Sequence, residues 1–327
     1  MTGQFAVRQS QRGVTIVELM VAMTLGLVAI GGAAAIYLAN RQSFATVQGV
    51  ARIEEGARFA ADLLARDIRE AGNSVCGGAM SSSNLVTSPI PNWAAWDRGL
   101  LGNALADTDV VATSVAGPAA PATRDPNSDS LLVWSASTGG EPVRITAHTT
   151  GASGTFTTAT PHGFAAGAVV VACDSKQLLT FEVQSPGTST LGYSGGPSVK
   201  AFLPGGWISP LTTHLWYVGG SQDVAGALAL RRITIDKSGT KVANDEMITG
   251  VSKMQVKYLV ADPASRIPNP AASYQTADTV PTWDSVIAVQ IRLTLSSLDK
   301  INPAGGAASV YLHTLPMTVA LRRRMQP

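Results

Sequence analysis

From Val14 to Ala39 the chain is apolar at almost every position; Glu18 is the single charge in the run, and Arg41 closes it. Residues 1–13 before it are largely polar, with Arg8 and Arg12 and no acid. As a helix rising about 1.5 Å per residue, such a run spans about 39 Å, more than the roughly 30 Å hydrocarbon core of a bilayer. Basic residues ahead of the run, and none behind it until Arg41, favour an inside N-terminus with the bulk of the chain outside. A secretory signal peptide has an apolar region of about 7–15 residues and a small-residue cleavage site beyond it, so this run is too long for one. A plain single-span anchor fits the length but leaves Glu18 unexplained, because ionisable groups inside a span are costly and usually partnered.

The helical period continues past the membrane-length run. Phe44, Val47, Ala51, Ala57, Ala61, Leu64, Ile68 and Ala71 recur at spacings of three and four or their sums, which predicts one buried face. Arg52, Glu55, Arg58, Asp62, Arg66 and Arg69 fall on the other face, with Asp62–Arg66 and Arg66–Glu70 spaced as i,i+4 pairs. Gly72-Asn73 is a stop signal. Gly26, Gly31, Gly32, Gly49 and Gly56 are points at which the helix is expected to bend or unwind. If continuous from Val14 to Ala71, it measures about 87 Å.

Residues 73–130 read as irregular, with turn chemistry at Ser81-Ser82-Ser83, Pro89, Pro91, Gly117-Pro118, Pro121 and Asp125-Pro126-Asn127. Short β patterns follow at Leu131–Ser135, Val143–Ala147, Val169–Cys173, Leu178–Val183, His214–Val218 and Leu228–Ile235. Met254, Val256, Tyr258 and Val260 alternate with polar residues, as do Ile287, Val289, Ile291, Leu293 and Leu295, a clean period of two. Pro316 interrupts a last strand region, Val310–Leu321, and marks an edge or a bulge. Helix first and strands after argue an α+β fold, with the amphipathic half-helix laid on an antiparallel β-sheet head with long loops.

Composition narrows the function classes. Charged residues are 14% of the 327, and 24 Lys+Arg against 22 Asp+Glu leave a formal charge of +2. That excludes a strongly basic nucleic-acid binder and an acidic disordered tail as descriptions of the whole chain. Two cysteines, far apart, exclude a Cys-based metal cluster.

The segment Gly13-Val14-Thr15-Ile16-Val17-Glu18-Leu19-Met20-Val21-Ala22-Met23 resembles the type IV prepilin signal, in which a short basic leader ends in Gly and a Glu stands fifth in the mature chain. The family usually has Phe or Met first after the cut; here that place is held by Val14. The resemblance implies cleavage by prepilin peptidase between Gly13 and Val14, N-methylation of Val14, and a subunit-assembly role for Glu18, paired with a neighbour's amine. Burying either charge alone would cost several kcal/mol, and pairing offsets much of it. Ala61-Asp62-Leu63-Leu64-Ala65-Arg66-Asp67-Ile68-Arg69-Glu70-Ala71-Gly72 followed by Cys76-Gly77 resembles the helix end of PilW-type minor pilins. Cys173-Asp174, the block from Val251 to Tyr258, Trp283-Asp284-Ser285-Val286 and the closing Thr318 to Arg324 are similar to later parts of that family. The helix end is shared with J-type pseudopilins of type II secretion.

The resemblance implies a type IV pilin-like organisation: a leader over 1–13, a hydrophobic half-helix over 14–39, an amphipathic half over 40–72, and a β-rich periplasmic head over 73–327. It implies a non-enzymatic subunit without cofactor or metal that helps start pilus assembly at or near the tip. The partners implied are prepilin peptidase, other minor pilins, the major pilin, the inner-membrane assembly platform and, as a further candidate, a tip adhesin; no specific nucleic acid is expected. The chain would sit in the inner membrane with a cytoplasmic N-terminus, then move to the pilus. In an oxidising periplasm Cys76 and Cys173 would form a disulfide closing a loop of about 97 residues, worth about 4.7 kcal/mol on a chain-entropy model. The other readings that stay open are a type II secretion pseudopilin and a membrane-anchored periplasmic enzyme or binding domain.

The remaining motifs read as structural. Gly192-Tyr193-Ser194-Gly195-Gly196 matches G-x-S-x-G, but Pro197 follows and no helix pattern stands behind it. His148, His162, His214 and His313 show no metal spacing. Asp125, Asn127 and Asp129 open like a calcium loop, yet Ser130 and Ala136 stand where Gly and the bidentate Glu are needed. Trp93, Trp96, Trp207 and Trp216 are expected to anchor loops in the core, with an adhesive or docking surface as the other reading. Arg322-Arg323-Arg324 reads equally as a solvated end or as a contact for DNA or an acidic partner.

Overall fold

A computed structural model describes residues 13–77, 81–86, 92–96, 99–104, 124–136, 140–194, 199–236, 241–262, 273–298 and 310–321. The chain divides into two units, Met1–Ala51 with Asp299–Tyr311 and Arg52–Leu298 with Leu312–Pro327. One helix, α1 (Ile16–Glu70), is unbroken at Gly26, Gly31, Gly32, Gly49 and Gly56. Each glycine costs about 1 kcal/mol against Ala, too little to interrupt a helix of this length.

In the first unit, the apolar side chains from Val14 to Leu38 stand in the open, from Leu19 at 50% exposure to Ile16 at 78%. Phe44 and Val47, expected on the buried face, are exposed as well. In the second unit the buried stripe is Ile53, Ala57, Ala60, Leu64 and Ile68, continued by Ala71. It is therefore turned one position from the expected face at Ala61, which is half-buried. Gly56 faces Ile248 and Leu295 across this seam. Gly72 ends the helix in the left-handed region (φ 67). Its N–H donates to Trp134 O at 2.8 Å, and Ala136 N–H donates to Asn73 O at 3.0 Å.

Sixteen strands are described, and nine follow the sequence reading closely. In chain order they are β1 (Ser81–Asn84), β2 (Leu100–Asn103), β3 (Ser130–Ser135), β4 (Val143–Thr149), β5 (Ser153–Thr158), β6 (Val169–Cys173), β7 (Gln177–Glu182) and β8 (Ser185–Pro186). Then come β9 (Thr190–Ser194), β10 (Trp207–Pro210), β11 (Thr212–Gly220), β12 (Leu228–Ile235), β13 (Lys241–Thr249), β14 (Val251–Val260), β15 (Val286–Ser296) and β16 (Leu312–Ala320). They form three sheets, ordered β1-β7-β6-β10-β4-β5-β9-β8, β13-β12-β11-β3-β2 and β14-β15-β16. Every pairing is antiparallel except β1 with β7. β1 and β2 lie in the stretch read as irregular. Pro316 sits opposite Arg292 on β16, an edge strand, where its missing N–H breaks no ladder.

β6 explains the layering. It is buried on both faces, which is why Val169–Cys173 is an unbroken apolar run. Val169, Val171 and Cys173 join Trp96, Trp134, Leu215 and Tyr217 in one core. Val170 and Ala172 join Phe156, Phe181, Tyr193 and Ile208 in another. In that second core His148 stacks on Phe156 with ring centroids 4.0 Å apart, and Phe156 stacks on Phe181 at 5.2 Å. Phe202 N–H donates to His148 Nδ1 at 3.1 Å, so the neutral ring carries its proton on Nε2 and donates it to the Tyr193 hydroxyl at 2.9 Å.

Burial lowers the His148 pKa from 6.5 to about 4. Between those values the unfolded chain binds a proton that the folded chain refuses, so stability is complete above pH 6.5 and drains as pH falls toward 4. Urea midpoints measured from pH 7 to pH 4 should fall through this window, and His148→Gln should flatten that part of the curve.

Candidate functional site

The N-terminal site is built on the first turn of α1. Thr15 caps the helix: Glu18 N–H donates to Thr15 Oγ1 at 3.2 Å, and Leu19 N–H donates to Thr15 O at 3.1 Å. Thr15 and Glu18 thus occupy the N-cap and third helical positions, where a hydroxyl satisfies an orphan N–H and an acid favours the helix dipole. The Glu18 carboxylate itself makes no hydrogen bond or ion pair among the described residues. Val14 is 71% exposed, and a Cβ placed on Gly13 would meet open space, so nothing in the fold demands glycine there. α1 is long and apolar enough to cross a membrane, and its most apolar stretch has no buried residue. It fits a single-pass inner-membrane anchor.

At the other end of α1, Asp67 is the acid that sequence reading missed. It lies on the stripe of Leu64, Ile68 and Ala71, and an acid at a core-facing position was the available signal. Its Oδ2 accepts from His214 Nδ1 and from Trp216 Nε1, both at 2.8 Å. Both partners come from β11, so one carboxylate ties the helix to the centre of the five-stranded sheet. Neither Asp62–Arg66 nor Arg66–Glu70 forms an ion pair among the described residues. Glu70 instead accepts from Asn73 Nδ2 at 2.9 Å. A few residues on, the Cys76–Cys173 disulfide joins the segment after the helix to the end of β6, with Cα atoms 6.0 Å apart. Asp174 closes the next turn, accepting at Oδ1 from Lys176 and Gln177 N–H (2.8 and 2.9 Å) and at Oδ2 from Leu203 N–H (3.0 Å).

A second polar cluster holds β12 to β13. Arg231 is wholly buried and donates to Asn244 Oδ1 (3.2 Å), Asn244 O (3.0 Å), Gly220 O (3.2 Å) and Glu246 Oε2 (3.4 Å). Burial pushes the Glu246 carboxyl up. The Gln222 N–H, the Ser221 and Thr249 hydroxyls and Arg231 outweigh it and hold the group below its ordinary value.

The other candidates are structural where they are described. Val256 N–H donates to Asp129 Oδ2 at 2.7 Å, and Ser128 Oγ donates to Asp125 Oδ2 at 3.1 Å, so Asp129 holds strand backbone and Asp125 holds a loop hydroxyl. Burial raises the Asp129 pKa despite the Val256 N–H and Arg124. Trp96 and Trp216 are fully buried, and Trp93 and Trp207 pack against the same core as Cys173. Ser194 ends β9, and Arg322–Arg324 lie outside the described residues. Among the described residues no three His, Cys, Asp or Glu side chains converge as metal ligands.

A long apolar helix without cover and an antiparallel-rich β head define a pilin-like α+β protein. Residues 8–34 match the prokaryotic N-terminal methylation motif. Residues 216–325 match PilW, the type IV pilus-assembly protein W family. Together these matches support a PilW-type, prepilin-like minor pilin. No curated protein and no solved structure matches the chain.

Asp67→Ala would leave the His214 and Trp216 N–H groups without their acceptor and should cost about 2 kcal/mol of head stability. Asp67→Asn, which keeps an oxygen there, should cost less. Urea unfolding followed by tryptophan fluorescence measures both.

Proposed function

We propose that this protein is a minor pilin that helps initiate type IV pilus assembly and sits at or near the pilus tip. In this reading prepilin peptidase cuts between Gly13 and Val14 on the cytoplasmic face, and Val14 is methylated. The observation that carries it is the Glu18 carboxylate, without a partner among the described residues, in a stretch from Val14 to Leu38 whose apolar side chains are exposed all round. A lone carboxylate in hydrocarbon is costly, so its counter-charge has to come from another chain. The free amine of a neighbouring subunit's processed N-terminus has the right charge and the right depth.

The remaining features fit that scheme. The cation-bearing leader favours a cytoplasmic N-terminus, and the Cys76–Cys173 disulfide suits an oxidising periplasm. The head would contact other minor pilins, the major pilin and the assembly platform, with a tip adhesin as a further candidate, and it acts structurally rather than as an enzyme. The N-terminal motif serves a type II secretion pseudopilin equally well; the match over 216–325 is what favours the pilus.

Glu18→Leu separates assembly from anchoring. The variant should accumulate in the inner membrane at the wild-type level and be absent from sheared pili. Normal incorporation of the variant into pili would contradict the assembly role of Glu18, whereas a wild-type chain absent from pili, with localisation unchanged in the variant, would favour a membrane-anchored enzyme or binding domain.

A further inference from the structure

The helix–sheet seam of the head contains a cavity of about 250 Å³ that none of the preceding roles uses. Arg66, Asp67 and Glu70 of α1 line it on one side, and Thr212, His214 and Arg232 line it on the other. Its acids are engaged: Asp67 Oδ2 holds His214 and Trp216, and Glu70 Oε2 holds Asn73. Its arginines are not. Among the described residues neither Arg66 nor Arg232 is in an ion pair. The Arg232 Nε is buried without an acceptor, and its guanidinium lies over the Trp216 ring, 5.6 Å from the centroid.

We infer that this cavity binds a carboxylate. The surplus in its lining is of N–H donors, and the guanidinium of Arg232, placed over the Trp216 ring, offers a planar fork suited to a planar, two-oxygen anion. The nearby Asp67 and Glu70 disfavour a phosphate group, which concentrates about 1.5 to 2 charges at neutral pH, more than they disfavour a carboxylate group, which carries one. The volume suits one acidic side chain or one small organic acid. The inference concerns the head alone and stands whether or not the chain enters a pilus.

Trp216 is a built-in reporter, since its indole N–H is held by Asp67 and its ring lies under Arg232. The full chain in detergent, with native disulfide, is titrated with glutarate, with acetyl-Gly-Glu-Gly-amide, and with phosphate and sodium chloride at matched ionic strength. The Trp216 indole resonance, assigned with Trp216→Phe, should move saturably with a carboxylate and not with chloride. Response to the capped peptide identifies a protein-borne side chain as a competent source, and response to glutarate alone identifies a free acid. Arg232→Gln should weaken binding by about tenfold or more, and Arg232→Lys by less. Unmoved indole resonances of Trp96 and Trp134 in the variants verify the fold. No shift with either carboxylate, a shift with phosphate alone, or full affinity in Arg232→Gln overturns the inference.

Discussion

From Ile16 to Leu38 the helix satisfies its own backbone hydrogen bonds while its side chains offer almost nothing to water. Burial is worth about 25 cal/mol per Å² of apolar surface, so leaving this stretch exposed in an aqueous phase would be strongly unfavourable. Only a bilayer or a bundle of like helices relieves it. Glu18 sharpens the constraint: a bilayer accepts the apolar residues but not the carboxylate, whereas a bundle of processed subunits can supply an amine. The Thr15 cap keeps the first turn helical up to that point, so the carboxylate is held on a regular helix rather than on a frayed end.

The head meets a different demand, which is to grip the last five turns of α1. Alanines at 57 and 60 and the larger Leu64 and Ile68 give a narrow, closely packed stripe. Asp67 adds a directional tie to β11, where helix propensity and apolar burial could only provide sliding contact. Just past the helix, the Gly72 turn is stitched to the end of β3 and the disulfide to the end of β6. Helix end, five-stranded sheet and eight-stranded sheet are thereby fastened within one short stretch of chain. A carboxylate and a covalent bond both resist shear better than apolar packing does.

Much of this was legible in the residues. β6 was read to its ends because an apolar run bounded by turn residues leaves little choice, β12 because apolar residues flank Arg231-Arg232 on both sides, and β15 because its alternation is clean. The Gly72 stop needed only the left-handed preference of glycine. Other elements carried no such signal. β5 and β9 are rich in Gly, Thr and Ser and acquire their strand character from Phe156, Leu191 and Tyr193 packing inward. β13 carries Asn244 and Glu246 because it is a sheet edge whose polar side chains meet Arg231 and the turn at Ser221. Phe44 and Val47 misled the helical phase, since apolar residues at helical spacing read as a buried face in sequence whether or not the fold covers them. All eight strands of the largest sheet lie between the two family-matched segments, so likeness could not supply what pattern lacked.

The claim on which the account turns is that the apolar helix is released from its leader to become an assembly element. Intact mass and N-terminal peptide analysis of protein purified from its own host, without reductant, tests it most directly. The account predicts a chain beginning at Val14, one methylene heavier at that residue and two hydrogens lighter for the Cys76–Cys173 bridge. A chain still beginning at Met1, or one cut beyond Ala39, would contradict it.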